Sequence, residues 1–275
     1  MVVGFLVVAA FSPATAETGP CRPDKDGVLR CGEGAGAASV FERMISPSKR
    51  LAFAWRSPGG SPTEVPDPDT LEVLLIRLSD GAVLWRAHGE YWEVPGHLAN
   101  HVDESAAWSP NSRFVVETTN FKWETGHLRL FAIGADDNVR VLDLMAIIEP
   151  VVRKRLRQLV KNPRAYVFFV WDADPPVTID DRGRVKAQVL MQIPKQDPDV
   201  TFDVTLQVLQ NSGSLSTQDI SIRRSRIRPE RQDGVGTRAP KFISPSGMSR
   251  RRVVTWARSA PPLQADVLGL PRYVR

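Results

Sequence analysis

A turn followed by an apolar strand recurs along the chain, and this repeat limits the fold more than any other feature. Ile45-Ser46-Pro47-Ser48-Lys49-Arg50 leads into Leu51-Ala52-Phe53-Ala54-Trp55. Trp108-Ser109-Pro110-Asn111-Ser112-Arg113 leads into Phe114-Val115-Val116 about 63 residues later. A third copy, Ile179-Asp180-Asp181-Arg182-Gly183-Arg184-Val185, follows after about 71 more and keeps the turn and the Arg without Ser-Pro. A fourth and weaker copy is Ile243-Ser244-Pro245-Ser246, followed after extra residues by Arg252-Val253-Val254-Thr255-Trp256. Pro presets φ for the first central turn position, the small polar residues after it suit the turn, and the basic residue opens the next strand.

Each of the first three copies is followed by a second hairpin signal. Leu71 to Leu78 runs into Ser79-Asp80-Gly81 and then Ala82-Val83-Leu84-Trp85, and Asp-Gly between apolar runs is a strong hairpin marker. Leu128 to Ile133 runs through Gly134-Ala135-Asp136-Asp137-Asn138 into Val139-Arg140-Val141-Leu142. Val200 to Leu209 alternates apolar and polar residues and runs into Asn211-Ser212-Gly213. The unit is therefore hairpin, linker, hairpin. One helix interrupts the β pattern over 143–161: Asp143 caps it, Leu144, Ile147, Ile148, Val151, Val152, Leu156, Leu159 and Val160 form its apolar stripe, and Asn162-Pro163 ends it. Pro150 is expected to kink or split this helix. Its other face carries Arg153, Lys154, Arg155, Arg157 and Lys161.

Ser-Pro-x-x-(Lys/Arg)-apolar-apolar, then a strand, Asp-Gly and another strand, resembles the WD40-like blade repeat of TolB-type β-propellers, over the turn-strand cores from about Phe41 to Leu209. The resemblance implies a mostly β fold with one amphipathic helix, in an incomplete or small β-propeller-like arrangement of antiparallel hairpin units. A closed propeller takes about four to eight blades. A two-sheet β-sandwich of duplicated hairpins is the alternative.

Upstream of the repeats, Val2 to Phe11 form an uncharged apolar run, too short to span a bilayer, and Ala14-Thr15-Ala16 supplies the small residues a signal peptidase reads. Residues 1–16 are expected to be a signal peptide and Glu17 the mature N-terminus. No Lys or Arg precedes the run, which leaves a misplaced start codon or a buried strand as the other readings. Both cysteines, Cys21 and Cys31, follow at once, and in an exported chain such a pair is expected to form one disulfide. Residues 17–40 then form a disulfide loop and linker, 41–219 the β-repeat domain, and 220–275 a basic, partly disordered tail. That tail holds about 13 Lys and Arg against about three Asp and Glu, so it outweighs the net charge of +5 and the rest of the chain is slightly acidic. Helix and tail together could contact an anionic surface; nucleic acid is the less available polyanion outside the cell.

Aromatic residues supply the binding candidates. Trp85, Tyr91, Trp92, Trp108 and Trp123 would make a protein- or glycan-binding surface if they line one mouth of the sheets, and core packing is their other use. His97 and His101, with Glu104 three further on, have metal-ligand spacing, but Leu98 stands where a metalloprotease has its Glu, and Pro95-Gly96 favours a loop. The pairs Asp67/Asp69, Asp172/Asp174 and Asp197/Asp199 sit beside prolines, as turn residues do. No Gly-x-Ser-x-Gly elbow, P-loop or dinucleotide fingerprint is present. No catalytic residue, metal or cofactor is expected. The reading is a periplasmic or secreted binding or scaffold protein of the bacterial envelope, with protein or envelope glycan as partner. A carboxylate-based hydrolase of cell-wall glycan or peptide is the alternative.

Overall fold

The computed structural model describes residues 19–57, 71–88, 103–121, 123–170, 175–193, 196–210 and 214–227. All belong to the first of two compact units, 1–232 and 233–275. The expected leader, the fourth turn copy and the tail beyond Ile227 lie outside the described residues.

Among the described residues the chain is mostly β, with one α-helix and three antiparallel sheets, none closed into a barrel. The first sheet runs in sequence order through β1 (Cys21–Pro23), β2 (Leu29–Cys31), β3 (Ala38–Ile45), β4 (Leu51–Arg56), β5 (Glu72–Arg77) and β6 (Val83–His88). The second is a meander of β7 (Asp103–Trp108), β8 (Phe114–Asn120), β9 (Thr125–Ile133) and β10 (Val139–Asp143). After α1 (Met145–Leu156), the third holds β11 (Val167–Phe169) and β12 (Val177–Ile179), both paired to β13 (Arg184–Ile193), then β14 (Gln196–Gln210) and β15 (Leu215–Ile227). Three sheets stand where the sandwich alternative has two. The hairpin units expected from the sequence are β3–β6, β7–β10 and β12–β15.

The three repeated turns share a positive-φ position and a side-chain cap, the third being one residue shorter, closed between Asp180 and Arg184. Lys49, Ser112 and Gly183, each three residues after the turn's first residue, have φ of 55°, 61° and 77°. Ser46 Oγ accepts from Leu51 N–H at 3.1 Å, Ser109 Oγ from Phe114 N–H at 3.0 Å, and Asp180 Oδ1 from Arg184 N–H at 2.8 Å. Asp therefore replaces Ser-Pro in the third copy by the same side-chain-to-backbone bond. The carbonyls of Arg50, Arg113 and Gly183 accept from Leu78, Ile133 and Val208, tying each turn to the third strand of its unit.

The turns also bond to one another across the sheets. Ser48 N–H donates to Ser112 Oγ at 3.0 Å, and Asn111 N–H donates to Asp181 Oδ1 at 2.8 Å. Beside this ladder Asp137 accepts from Arg50 and Arg77 of the first sheet, both at 2.8 Å. Arg77 is gripped in turn by Asp80. Hydrogen bonds from Asp80, then Asp137, push the Arg77 guanidinium further up from its ordinary range, and the Arg77 bond pulls the Asp80 carboxyl down.

Apolar faces stack the sheets. Leu51, Phe53, Val73 and Leu75 meet Val115, Phe131 and Ile133 between the first and second sheets. Phe131 packs edge-on against Phe53 at 5.4 Å and Trp85 at 4.7 Å between centroids. The alternate residues of the second sheet, Phe114, Val116, Leu128 and Leu130, meet Val185, Val189, Phe202, Val204 and Leu206 of the third. The third sheet's far side carries exposed Lys186 and Asp203, although Leu190 and Thr201 on the same face are buried toward its other end.

The far side of the first sheet is apolar and capped. Ala52, Ala54, Leu74 and Ile76 are fully buried there beside Ala38 and Cys31. On β3, Phe41 to Met44 stand opposite Phe53 alone, because the pairing jumps from Val40↔Ala54 to Ile45↔Ala52. A bulge of that size bends the strand. The β1–β2 hairpin thereby reaches β5, where Cys21 N–H donates to Leu78 O at 3.3 Å. Alanines make room for this approach, and the Cys21–Cys31 disulfide staples the hairpin.

The helix buries Leu144, Ile148, Val152 and Leu156 in the core shared by the second and third sheets. Asp143 Oδ1 accepts from Ala146 N–H at 3.0 Å, as a cap should. The expected 143–161 helix is α-helical over Met145–Leu156, and tighter turns continue through Leu159. Pro150 does not split it: it lies on the exposed side, where the backbone bond it removes is offset by the buried stripe opposite. β15 continues to Ile227, past the expected start of the tail at 220. Asp219, at φ 53°, marks a register shift in this edge strand, and Arg223 and Arg224 project from it, devices that discourage further pairing.

Candidate functional site

The turns at 46–50, 78–82, 109–113, 134–138 and 180–183 lie at one end of the strands. The connections of 57–71 and 89–102, and the 121–124 loop, leave from the other end. Toward that end the interior becomes polar. β8 begins Phe114-Val115-Val116 and continues Glu117-Thr118-Thr119-Asn120, yet all seven residues are buried, since β8 is covered on both faces.

Between the first and second sheets, Thr119 Oγ1 donates to Glu104 Oε1 at 2.7 Å and stands 3.3 Å from Glu117 Oε1. Arg129 Nη1 is 3.3 Å from the same Glu117 oxygen, and its guanidinium lies 5.3 Å from the ring centroid of Trp85. Glu117 is fully buried. One hydroxyl and one cation thus organise two carboxylates under an aromatic ring. On the opposite face of the second sheet, Thr125 Oγ1 donates to Asn120 Oδ1 at 2.6 Å, Asn120 Nδ2 to Val170 O at 3.2 Å, and Val170 N–H to Thr125 Oγ1 at 2.8 Å. This closed network fixes the third sheet to the second. On the far side of the first sheet, Glu72 pairs with Arg56 at 2.6 Å and Arg86 at 3.4 Å.

The aromatic candidates take different places. Trp85 packs on Phe131, and Trp108 donates its Nε1–H to Met44 O at 3.2 Å with its ring 6.1 Å from Phe53. Both belong to the contact between the first two sheets. Trp123 is 39% exposed on the β8–β9 loop, where its carbonyl accepts from Gln192 Nε2 at 3.1 Å. That loop is anchored: Phe121 N–H donates to Glu124 O, and the Phe121 ring leaves no room for a Cβ at Gly126. Tyr91 and Trp92 lie in the 89–102 connection, outside the described residues, as do His97, His101, Asp67, Asp69, Asp172 and Asp174. The Asp197 side chain is also outside them; Asp199 is half-buried and adds to burial in pushing the Tyr166 phenol up.

Among the described residues no cluster of three His, Cys, Asp or Glu could hold a metal. Cavities of about 260 and 180 Å³ lie on the third sheet, the first against α1 and the second at the β12–β13 turn, both away from the paired glutamates. Sequence reasoning met Glu104 only beside His97 and His101, and passed over Glu117, Thr119 and Arg129. The available signal was a polar run continuing a β-prone segment with no turn residue to end it.

The fold and site define an antiparallel, stacked-sheet scaffold with a stapled N-terminal cap. No protein-family model, curated protein or solved structure matches the chain.

Proposed function

We propose that this chain is an exported binding or scaffold protein of the bacterial envelope, built as an incomplete propeller-like stack of the TolB-type repeat. The observation that carries this reading is the difference between the two ends of the strands. One end is locked by the turn ladder and the Asp137 clasp, and at the other Trp123 is exposed on the anchored β8–β9 loop. Binding residues fall on loops held by a rigid scaffold. The disulfide supports an oxidising compartment, and no described helix is long and apolar enough to cross a membrane. The ligand is an envelope protein or glycan that meets Tyr91, Trp92 and Trp123.

Affinity capture from an envelope fraction tests this. The expected result is one retained protein or glycan that is lost when Tyr91, Trp92 and Trp123 are changed to Ala and kept when the turn-end Lys49 is changed to Gly. Capture that is indifferent to the aromatic substitutions contradicts it.

The Glu104–Thr119–Glu117 arrangement favours the second reading, a carboxylate-based hydrolase. Its test is release of fragments from cell-wall glycan or peptide, abolished in Glu104→Gln and Glu117→Gln. The first reading takes precedence because Glu117 is fully buried between two sheets and bound to neighbouring strands.

A further inference from the structure

Helix α1 and strand β15 border an open groove with an apolar and basic lining. Val151, Lys154, Arg155 and Gln158, at i, i+3, i+4 and i+7, line it from the helix, and Ile222 lines it from the strand. Val151 is 38% exposed although the rest of its helix hides its large apolar side chains at least in part. Lys154 in the lining is exposed, exposed Arg157, Lys161 and Arg164 follow it along the chain, and Arg224 lies two residues beyond Ile222 on the same strand face. None of these five cations is paired with a carboxylate among the described residues. The helix's own carboxylate, Glu149, is taken by Arg153 at 2.6 Å, whose guanidinium also donates to Tyr166 O. That leaves the outer face of the helix without negative charge. On β15 the carboxylate nearest in sequence, Asp219, sits at the strand's bulge.

We propose that the α1–β15 groove is the contact site for an anionic lipid surface. Cations set beside an exposed valine and a half-buried isoleucine match a layer of negative headgroups over acyl chains. At about 260 Å³ the groove is smaller than the roughly 300–1,000 Å³ of small-molecule pockets, which suits lying against a surface better than enclosing a ligand. Nucleic acid would meet the cations but gain nothing from the apolar floor. With so little apolar area to insert, the association is electrostatic, reversible and weakened by salt.

This inference rests on the envelope location proposed above, but its test uses purified full-length protein, so capture and vesicle binding fail independently. Association with phosphatidylglycerol-containing vesicles is measured by flotation, against phosphatidylcholine vesicles and duplex DNA at equal salt. The wild type is expected to float with the anionic vesicles alone. Lys154→Glu with Arg155→Glu is expected to lower that association by about tenfold or more. Arg184→Glu with Lys186→Glu, an equal charge change on the third sheet's far side, should leave it nearly unchanged. Circular dichroism checks folding, and Lys154→Gln with Arg155→Gln, a milder neutralisation, should lower association in the same direction if the Glu pair does not fold. Equal loss in groove and control variants, equal binding to neutral vesicles, or tighter binding to DNA than to vesicles would each overturn the proposal.

Discussion

Each repeated turn depends on one side-chain oxygen and one residue at positive φ. Ser109 is fully buried, accepts from Phe114 N–H and donates to Asn111 Oδ1 at 2.9 Å. Ser109→Ala is therefore expected to destabilise by about 1–2 kcal/mol, read from the urea midpoint at constant slope. The positive-φ positions should respond with opposite signs. Lys49→Gly relieves an L-residue at φ 55° and is expected to stabilise by about 0.5–1 kcal/mol. Gly183→Ala places a Cβ 3.2 Å from Val208 O at φ 77° and is expected to destabilise by about 1–2 kcal/mol. Acid should act through Asp80 and Asp24, both held below the usual carboxylate range first by hydrogen bonds from Arg77 and Arg30. A depressed folded value contributes stability that is present above the unfolded pKa of about 3.9 and is lost as pH falls through the folded value. The urea midpoint is accordingly expected to drop on acidification below about pH 4, less steeply in Asp80→Asn than in the wild type.

At the scale of elements, the first sheet depends on its cap. Cys21 and Cys31 are ten residues apart, and closing a loop of that size is worth about 3 kcal/mol through the unfolded chain. Reduction, or Cys21→Ser with Cys31→Ser, is expected to lower stability by about that amount and to raise amide exchange first in β1, β2 and the Ala38–Val40 end of β3. The elements most legible in the sequence were those with local signals. The Ser-Pro turns, the Asp80-Gly81 hairpin, the alternating β14 and the apolar stripe of α1 form where local chemistry placed them, except that Val151 of the stripe turns out to the surface. What local signals could not give was covering by distant elements. The polar end of β8 is buried because two other sheets cover it. Arg153, grouped from the sequence with the basic helix face, turns instead to Glu149 and Tyr166. Trp85 and Trp108 have core packing as well as a surface role open to them in the sequence, and the register of the first two sheets sets them in the contact between those sheets.

At the scale of the molecule, three copies of one unit stack face to face, each tied to the next by a turn-to-turn bond and an apolar layer. The repeat predicted the units and their number in the described region. It did not show that the stack ends in a polar face on the third sheet and in a stapled hairpin on the first, because both ends depend on which face meets solvent. Units coupled in this way should open together, as in other stacked architectures where neighbour contacts carry the stability. Native-state amide exchange in rising denaturant tests that directly, at the equivalent amides of Leu78, Ile133 and Val208, which bond to the three repeated turns. One common opening free energy, with the three amides merging into the global unfolding transition, is the predicted result; separate openings, with Val208 still protected after Leu78 and Ile133 have exchanged, would contradict a single stacked scaffold.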